Sequence, residues 1–294
     1  MSQQDTGVGA WPARFVRRVG ILTHPRIPET IPLAEDLATR LAGLGVVAEV
    51  RPQIDARWLL AQLPGLDCVI TLGGDGTIVR TARVLAGSQV PVLGVNMGQL
   101  GFLAELQPAE LGERLEALAR GEFRIEERSL LRATLTTADG QESCYDALND
   151  AVVARGARVR VIAVAVSIDG QLFATYRADG VIVATSTGST AYSLAVGGPI
   201  LNPTLDDLLV IPVAPHLVPT RALVVPGKST IHLQLGSEFD GVLAIDGQVD
   251  QPMAGGDRVS VTLSPKRVGF IRFGPPADFY GTLFRRLRWA SRCP

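Results

Sequence analysis

Residues Gly73-Gly74-Asp75-Gly76-Thr77 set one carboxylate inside a glycine turn. An apolar strand pattern, Cys68-Val69-Ile70-Thr71-Leu72, runs into this turn, and a helical pattern from Thr77 to Leu85 leaves it. In a parallel α/β sheet, the loops at the carboxyl ends of strands form the ligand crevice. Glycines there let the backbone come close to a ligand and let successive N–H groups gather round an anion. The following helix adds its N-terminal dipole. The chemistry expected is phosphate binding by Gly73, Gly74, Gly76 and Thr77, with Asp75 either activating a hydroxyl or helping to hold Mg²⁺. An ordinary aspartate, with a pKa of about 3.9, is a poor general base near neutrality. Phosphoryl transfer relaxes that objection, because its loose transition state makes positioning and electrostatics dominant.

Other phosphate motifs fit less well. A Rossmann fingerprint needs G-x-G-x-x-G, which this turn does not supply. Pro226-Gly227-Lys228-Ser229 imitates the end of a P-loop, but Ala222 stands where its first glycine belongs and no helix pattern follows.

Two further stretches carry polar chemistry. Asn149-Asp150 precedes Ala151-Val152-Val153. Amide and carboxylate suit a ribose diol or an adenine edge, although neighbours on a strand point to opposite faces; a bend or strand end would let both reach one ligand. From Asp179 to Ser193, the apolar run Val181-Ile182-Val183-Ala184 leads into a loop rich in hydroxyls and glycine, then Tyr192, then Gly197-Gly198-Pro199. Small hydroxyl residues offer donors and room, and an aromatic ring can pack on a base. His24, His216 and His232 accompany no nucleophile motif and read as structural.

These residues must be positioned by two kinds of element. From Arg18 to about Arg120, short apolar runs alternate with helical patterns: Val19–Leu22, Val46–Val50, Cys68–Leu72 and Val92–Val95 as strands, with Pro32–Leu44, Asp55–Leu63, Thr77–Leu85 and Pro108–Arg120 as helices. That alternation predicts a parallel sheet covered on both faces. After Phe123 the runs are β-rich, with hairpin signals at Asp139-Gly140 and Asp169-Gly170. A short helix is expected near Ala191–Val196 and a last one over Tyr280–Ala290. The fold expected is α/β plus all-β: an N-terminal parallel-sheet α/β domain (18–122 plus 275–294), a C-terminal antiparallel β-sandwich domain (123–274), and a C-terminal helix returning to the first domain. Residues 1–17 read as a disordered extension.

Composition narrows the class. The 294 residues are 47% hydrophobic and 19% charged, a globular balance. Net charge is −1, from 28 basic and 29 acidic residues, which gives no reason to propose nucleic acid as partner. Arg285, Arg286, Arg288 and Arg292 near the end read as a solvated helix face. Cys68, Cys144 and Cys293 are odd in number and widely spaced, so neither a disulfide framework nor a dedicated metal site is expected, and a reducing, cytoplasmic location fits. No apolar signal core or membrane-length run is present, so no membrane partner is expected.

Taken together, GGDGT, NMGQLGFL at Asn96–Leu103, Asn149-Asp150 and DGVIVATSTGSTAYSLAVGGPI at Asp179–Ile200 resemble the NAD kinase family from about Arg18 to Arg288. GGDGT alone also resembles diacylglycerol and sphingoid-base kinases; the long Asp179–Ile200 segment separates the two. The resemblance implies transfer of the ATP γ-phosphate to the 2′-hydroxyl of the adenosine ribose of NAD, with Mg²⁺ or another divalent cation, and a homodimer or homotetramer. It implies that Asp75 accepts the hydroxyl proton and that Gly76 touches the dinucleotide. It assigns NAD contacts to Asn149, Asp150, Arg160, Arg177, Asp179, Thr190, Ala191, Tyr192, Ser193, Leu194, Ala195 and Gln248. Two positions depart from the family pattern: Ser186 stands for a usual proline and Ala195 for a common serine. A lipid kinase and a dinucleotide sensor without turnover are the competing readings.

Overall fold

The computed structural model describes residues 11, 15–52, 55–98, 101–156, 160–216 and 221–287. They fall into two compact units. The first takes the described residues up to Ile78, Ser88–Glu126 and those from Gly269 onward; the second takes Val79–Gly87 and Glu127–Val268. The units thus part four residues beyond Glu122 and six before Gly274, and 79–87 join the second.

The first unit begins β1 (Arg18–Leu22), α1 (Thr30–Gly43), β2 (Val47–Arg51), α2 (Ala56–Gln62), β3 (Cys68–Gly73), α3 (Asp75–Leu85), β4 (Val92–Asn96) and α4 (Leu111–Arg120). Its strands are parallel in the order β2-β1-β3-β4. All six residues of β3 are buried, because a central parallel strand is covered on both faces and so is written as an unbroken apolar run. In α1, Ala34, Leu37 and Leu41 are buried at helical spacing. Asp55 caps α2 by accepting the Arg57 and Trp58 amides. A capping box between Gln107 and Glu110 opens the turn before α4, and Gly121, left-handed at φ 72°, closes that helix. Val16 is buried in this core and its amide donates to the Ala119 carbonyl, so the chain joins the fold just before β1. Residues 1–10 and 12–14 of the expected extension lie outside the described residues, as do Arg288, Arg292, Cys293 and the last residues of the expected final helix.

The remaining strands are β5 (Arg124–Thr136), β6 (Glu142–Ala147), β7 (Asp150–Arg155), β8 (Ile162–Ile168), β9 (Gln171–Ala178) and β10 (Gly180–Thr185). After the short helix α5 (Tyr192–Ala195) come β11 (Asp207–Val213), β12 (Leu223–Pro226), β13 (Ile231–Leu235), β14 (Gly241–Ile245), β15 (Val249–Met253), β16 (Arg258–Arg272) and α6 (Asp278–Arg286). One antiparallel sheet of the second unit runs β12-β11-β10-β7-β14-β15, and β13 pairs antiparallel with both β8 and β16 in another. Leu131, Val164, Val166, Leu233, Val259 and Val261 face Val153, Val181, Val183, Val210 and Leu243 in one core, which makes this unit a β-sandwich. On the other face of β10, Ile182 and Ala184 join Val152, Leu209 and Ile211 in a second apolar cluster. Asp169-Gly170 has both residues at positive φ (50° and 82°), the two-residue hairpin its sequence predicts; Asp246-Gly247 also has both at positive φ (52° and 60°), in a three-residue loop closed by Gln248 between β14 and β15.

Candidate active site

In the first unit, the site grows from the end of β3. Helix α3 starts on Asp75 itself, two residues earlier than its apolar pattern predicts. The three glycines of the turn serve different ends. A Cβ on Gly73 would come within 2.6 Å of the Thr77 hydroxyl, whereas Cβ atoms on Gly74 and Gly76 would meet open space. The Gly73 carbonyl accepts the Met97 amide at 3.2 Å, tying the turn to the end of β4. The Asp75 carboxylate accepts the Phe102 amide at 2.6 Å and the Leu103 amide at 3.2 Å. Gly101 makes this possible, since a Cβ there would lie 2.0 Å from Asp75 Oδ1. The motif NMGQLGFL therefore acts as the cradle of Asp75; its Gln99 and Leu100 lie outside the described residues.

Beneath that cradle, Arg272 donates to the Leu103 carbonyl, to Glu105 and to Glu126, each at 3.1 Å. Glu105 also accepts the Phe273 amide at 2.8 Å. Arg272 and Glu126 are buried, so the ion pairs and hydrogen bonds satisfy charges that would otherwise be costly to desolvate.

In the second unit, three segments converge on Asn149 and Asp150. Asn149 lies in a bend and Asp150 opens β7, the strand-end arrangement that lets both polar groups serve one region. The Asn149 carbonyl accepts the Thr185 amide at 2.8 Å, and Thr185 Oγ1 donates to the Leu148 carbonyl at 2.6 Å. Gly188 packs so closely that a Cβ would fall 2.0 Å from the Asn149 carbonyl oxygen. Asp246 accepts the amides of Leu148, Asn149 and Asp150 at 3.0, 2.7 and 3.1 Å. Arg83 of α3 approaches Asp246 at 3.5 Å. Burial and then the Asp246 charge push the Asp150 carboxyl up to about 7. Burial also raises Asp246, against the pull of its three amides and Arg83.

Gln248 lines a cavity of about 420 Å³ with Arg80, Arg83, Tyr145 and Asp146. Thr190, Ala191 and Leu194 are half-buried, Tyr192 and Ala195 exposed and Ser193 buried, all within the turn and short helix after β10. The Ser193 hydroxyl has no hydrogen-bond partner among the described residues. Ser186 is buried and donates to the Asp207 carbonyl at 3.2 Å, a bond that a proline there would not make.

Other residues that the resemblance assigns to the site lie elsewhere in this unit. Asp179 pairs with Arg155 at 3.1 Å. Arg155 and Arg160 line a cavity of about 200 Å³ with Phe239, over whose ring the Arg160 guanidinium lies at 5.8 Å. In the β7–β10 ladder, Asp150 pairs with Ala184 and Ala154 with Gly180. The Asp150 and Asp179 groups therefore sit at opposite ends, roughly 15 Å apart at about 3.4 Å per residue. Arg177 is exposed on β9, and its carbonyl accepts the His216 amide.

Sequence reading missed three contributors: it gave no role to Asp246, to Arg83 or to Arg272. Among the described residues no group of three or more His, Cys, Asp or Glu side chains could hold a metal ion, and no helix is long and apolar enough to cross a membrane.

A glycine turn and helix N-terminus carrying a cradled carboxylate, joined in one chain to a β-sandwich with a second polar cluster, define a phosphotransferase of the nucleotide-binding kind. Comparison with known proteins agrees. Residues 61–123 match the ATP-NAD kinase N-terminal domain and residues 148–273 the ATP-NAD kinase C-terminal domain. The NAD kinase of Dehalococcoides mccartyi strain CBDB1 is 40% identical over 273 residues, covering 92% of this chain and 96% of the relative. That of Heliobacterium modesticaldum is 41% identical over 268 residues, covering 91% and 89%. Among solved structures, yeast NADH kinase complexed with NADH superimposes with a TM-score of 0.86 at 25% identity over 96% of this chain and 90% of that one. An NAD kinase from Archaeoglobus fulgidus in complex with ATP gives 0.73 at 25% identity over 92% and 98%. The chain belongs to the NAD kinase family and is an enzyme that phosphorylates NAD, with ATP as donor. This removes the lipid kinase and sensor readings.

Proposed function

We propose that the enzyme transfers the γ-phosphoryl group of ATP to the 2′-hydroxyl of the adenosine ribose of NAD, with Asp75 as the acceptor of the hydroxyl proton. The observation that carries this reading is the Asp75 carboxylate at the start of α3, held by the Phe102 and Leu103 amides. Two hydrogen bonds from backbone amides fix its orientation, so a hydroxyl placed against it is already directed. As the 2′-oxygen bonds to the γ-phosphorus, the bond from that phosphorus to the β,γ-bridging oxygen breaks, ADP leaves and the proton passes to Asp75. Gly73, Gly74, Gly76 and Thr77 form the phosphate-binding turn, and the open space beside Gly74 and Gly76 supports that role.

Asn149 and Asp150 hold the ribose hydroxyls, and Gln248 and the turn from Thr190 to Ala195 take other parts of the dinucleotide. Mg²⁺ or another divalent cation would be held at this turn chiefly through phosphate oxygens and waters, leaving Asp75 to take the hydroxyl proton. Such an ion neutralises charge on the phosphates when bound. A homodimer or homotetramer belongs to this reading, since one chain keeps the Asp150 and Asp179 groups at opposite ends of a ladder. The cytoplasm is its place, in keeping with free Cys68 and Cys144.

The test incubates purified enzyme with NAD, ATP and Mg²⁺ and follows NADP with an NADP-specific dehydrogenase. Asp75→Asn is expected to lower kcat by about 10²-fold or more. Near-normal kcat in that variant would remove Asp75 from the mechanism.

A further inference from the structure

Helix α6 buries only one residue against the first unit, Leu283; Tyr280 and Phe284 stay exposed. Yet its last residue, Arg286, is drawn inward. The Arg286 guanidinium lies over the Phe102 ring, 4.8 Å from the centroid. Its Nε is buried without a hydrogen-bond partner among the described residues. What the described residues show Arg286 to supply is its stacking on Phe102 and its charge. The charged groups that act on it are Asp75, Arg272, Arg285 and Glu105. Burial lowers Arg286 to about 10, partly offset by Asp75, so it stays cationic at neutral pH.

Phe102 supplies one of the two amides that hold Asp75. The same short turn is therefore clamped on its ring side by Arg286 and read out on its backbone side by Asp75. We propose that Arg286 is a positioning residue for phosphoryl transfer: stacked on Phe102, it fixes the Gly101–Leu103 turn and keeps a positive charge beside the Asp75 carboxylate. This rests on the assignment of Asp75 given above. It makes the C-terminal helix a working part of the active site, where sequence alone reads Arg286 as a solvated helix face.

The experiment compares full-length wild type, Arg286→Met, Arg286→Lys, Phe102→Leu and Asp75→Asn by steady-state kinetics and thermal melting. Arg286→Met is expected to lose about 10–100-fold in kcat, as a displaced catalytic geometry does, with KM for NAD and ATP and the Tm little changed. Arg286→Lys, which retains the charge, is expected to recover most of kcat. Phe102→Leu is expected to lower kcat as well and to make the Arg286 substitution nearly silent in the double variant. Unchanged kcat in Arg286→Met overturns the proposal, as does a rise in KM alone. A loss of kcat that follows Tm without rescue by Lys also overturns it. Should Arg286→Met not fold, the Lys variant and the Phe102→Leu series decide alone. If Asp75→Asn loses activity while Arg286→Met does not, this proposal falls and the Asp75 assignment stands; if Asp75→Asn keeps its kcat, both fall.

Discussion

Asp246 accepts the backbone amide of Asp150 at 3.1 Å while its charge helps to keep the Asp150 carboxyl protonated until about pH 7. One carboxylate thus builds the strand end and adds to the effect of burial on the proton state of its neighbour.

That relationship has a sign. In the unfolded chain Asp150 titrates near 3.8, and in the folded chain near 7. Between those values the folded state holds a proton that the unfolded state has lost, so stability falls as pH rises through that window and levels off above it. Melting from pH 5 to pH 8 should show a steeper decline for wild type than for Asp150→Asn. Parallel curves would mean that Asp150 ionises as an ordinary carboxyl in the fold.

Gly101→Ala should be a kinetic lesion and not a folding one. The new methyl would occupy the place of the Asp75 carboxylate, 2.0 Å from Oδ1, and a side chain can swing away where a backbone cannot. Loss of the two hydrogen bonds from the Phe102 and Leu103 amides should cost about 10–100-fold in kcat with a near-native melt. A collapsed Tm with the residual kcat per folded molecule intact would contradict this.

Arg272→Met should destabilise by about 3–5 kcal/mol, because it leaves Glu126 buried with a weakened set of partners. Urea titration measures it. The double variant Arg272→Met with Glu126→Gln should regain a large part of the loss, since the stranded charge is gone. No recovery would show that packing and not charge dominates there.

Ser186→Pro installs the residue usual in the family. It removes the hydrogen bond to the Asp207 carbonyl, worth about 1 kcal/mol, and restricts the unfolded chain by a similar amount. The melt should move by a few degrees at most and kcat should hold. A large fall in kcat would place the Ser186 hydroxyl at the substrate.

The parallel half of the fold was legible because its strands are short apolar runs separated by amphipathic helices, and β3 is the clearest case. The sandwich was less so. β9 (QLFATYRA) buries little of its length and β15 is interrupted by Pro252, so neither stands out by hydrophobicity. β11 pairs on both sides although it contains Pro212, a residue that argues against a central strand. β16 reads as two strands because Pro265-Lys266-Arg267 breaks its apolar pattern, yet the backbone runs extended through all 15 residues. At the site, motif residues were visible by spacing, but their partners were not. Nothing local ties Asp246 to Asn149, 97 positions away, or Arg286 to Phe102; such pairings arise only from packing.

The glycine turn after β3 divides its labour between neighbours. Gly73 is demanded by the Thr77 side chain, whereas Gly74 and Gly76 face unfilled space. A deep mutational scan read first for abundance and then for NADP output should therefore disagree with itself inside these five residues. Position 73 should fail both screens, while 74 and 76 should yield well-expressed, silent enzymes. Within a single motif, pressure to fold and pressure to bind would be written on separate letters.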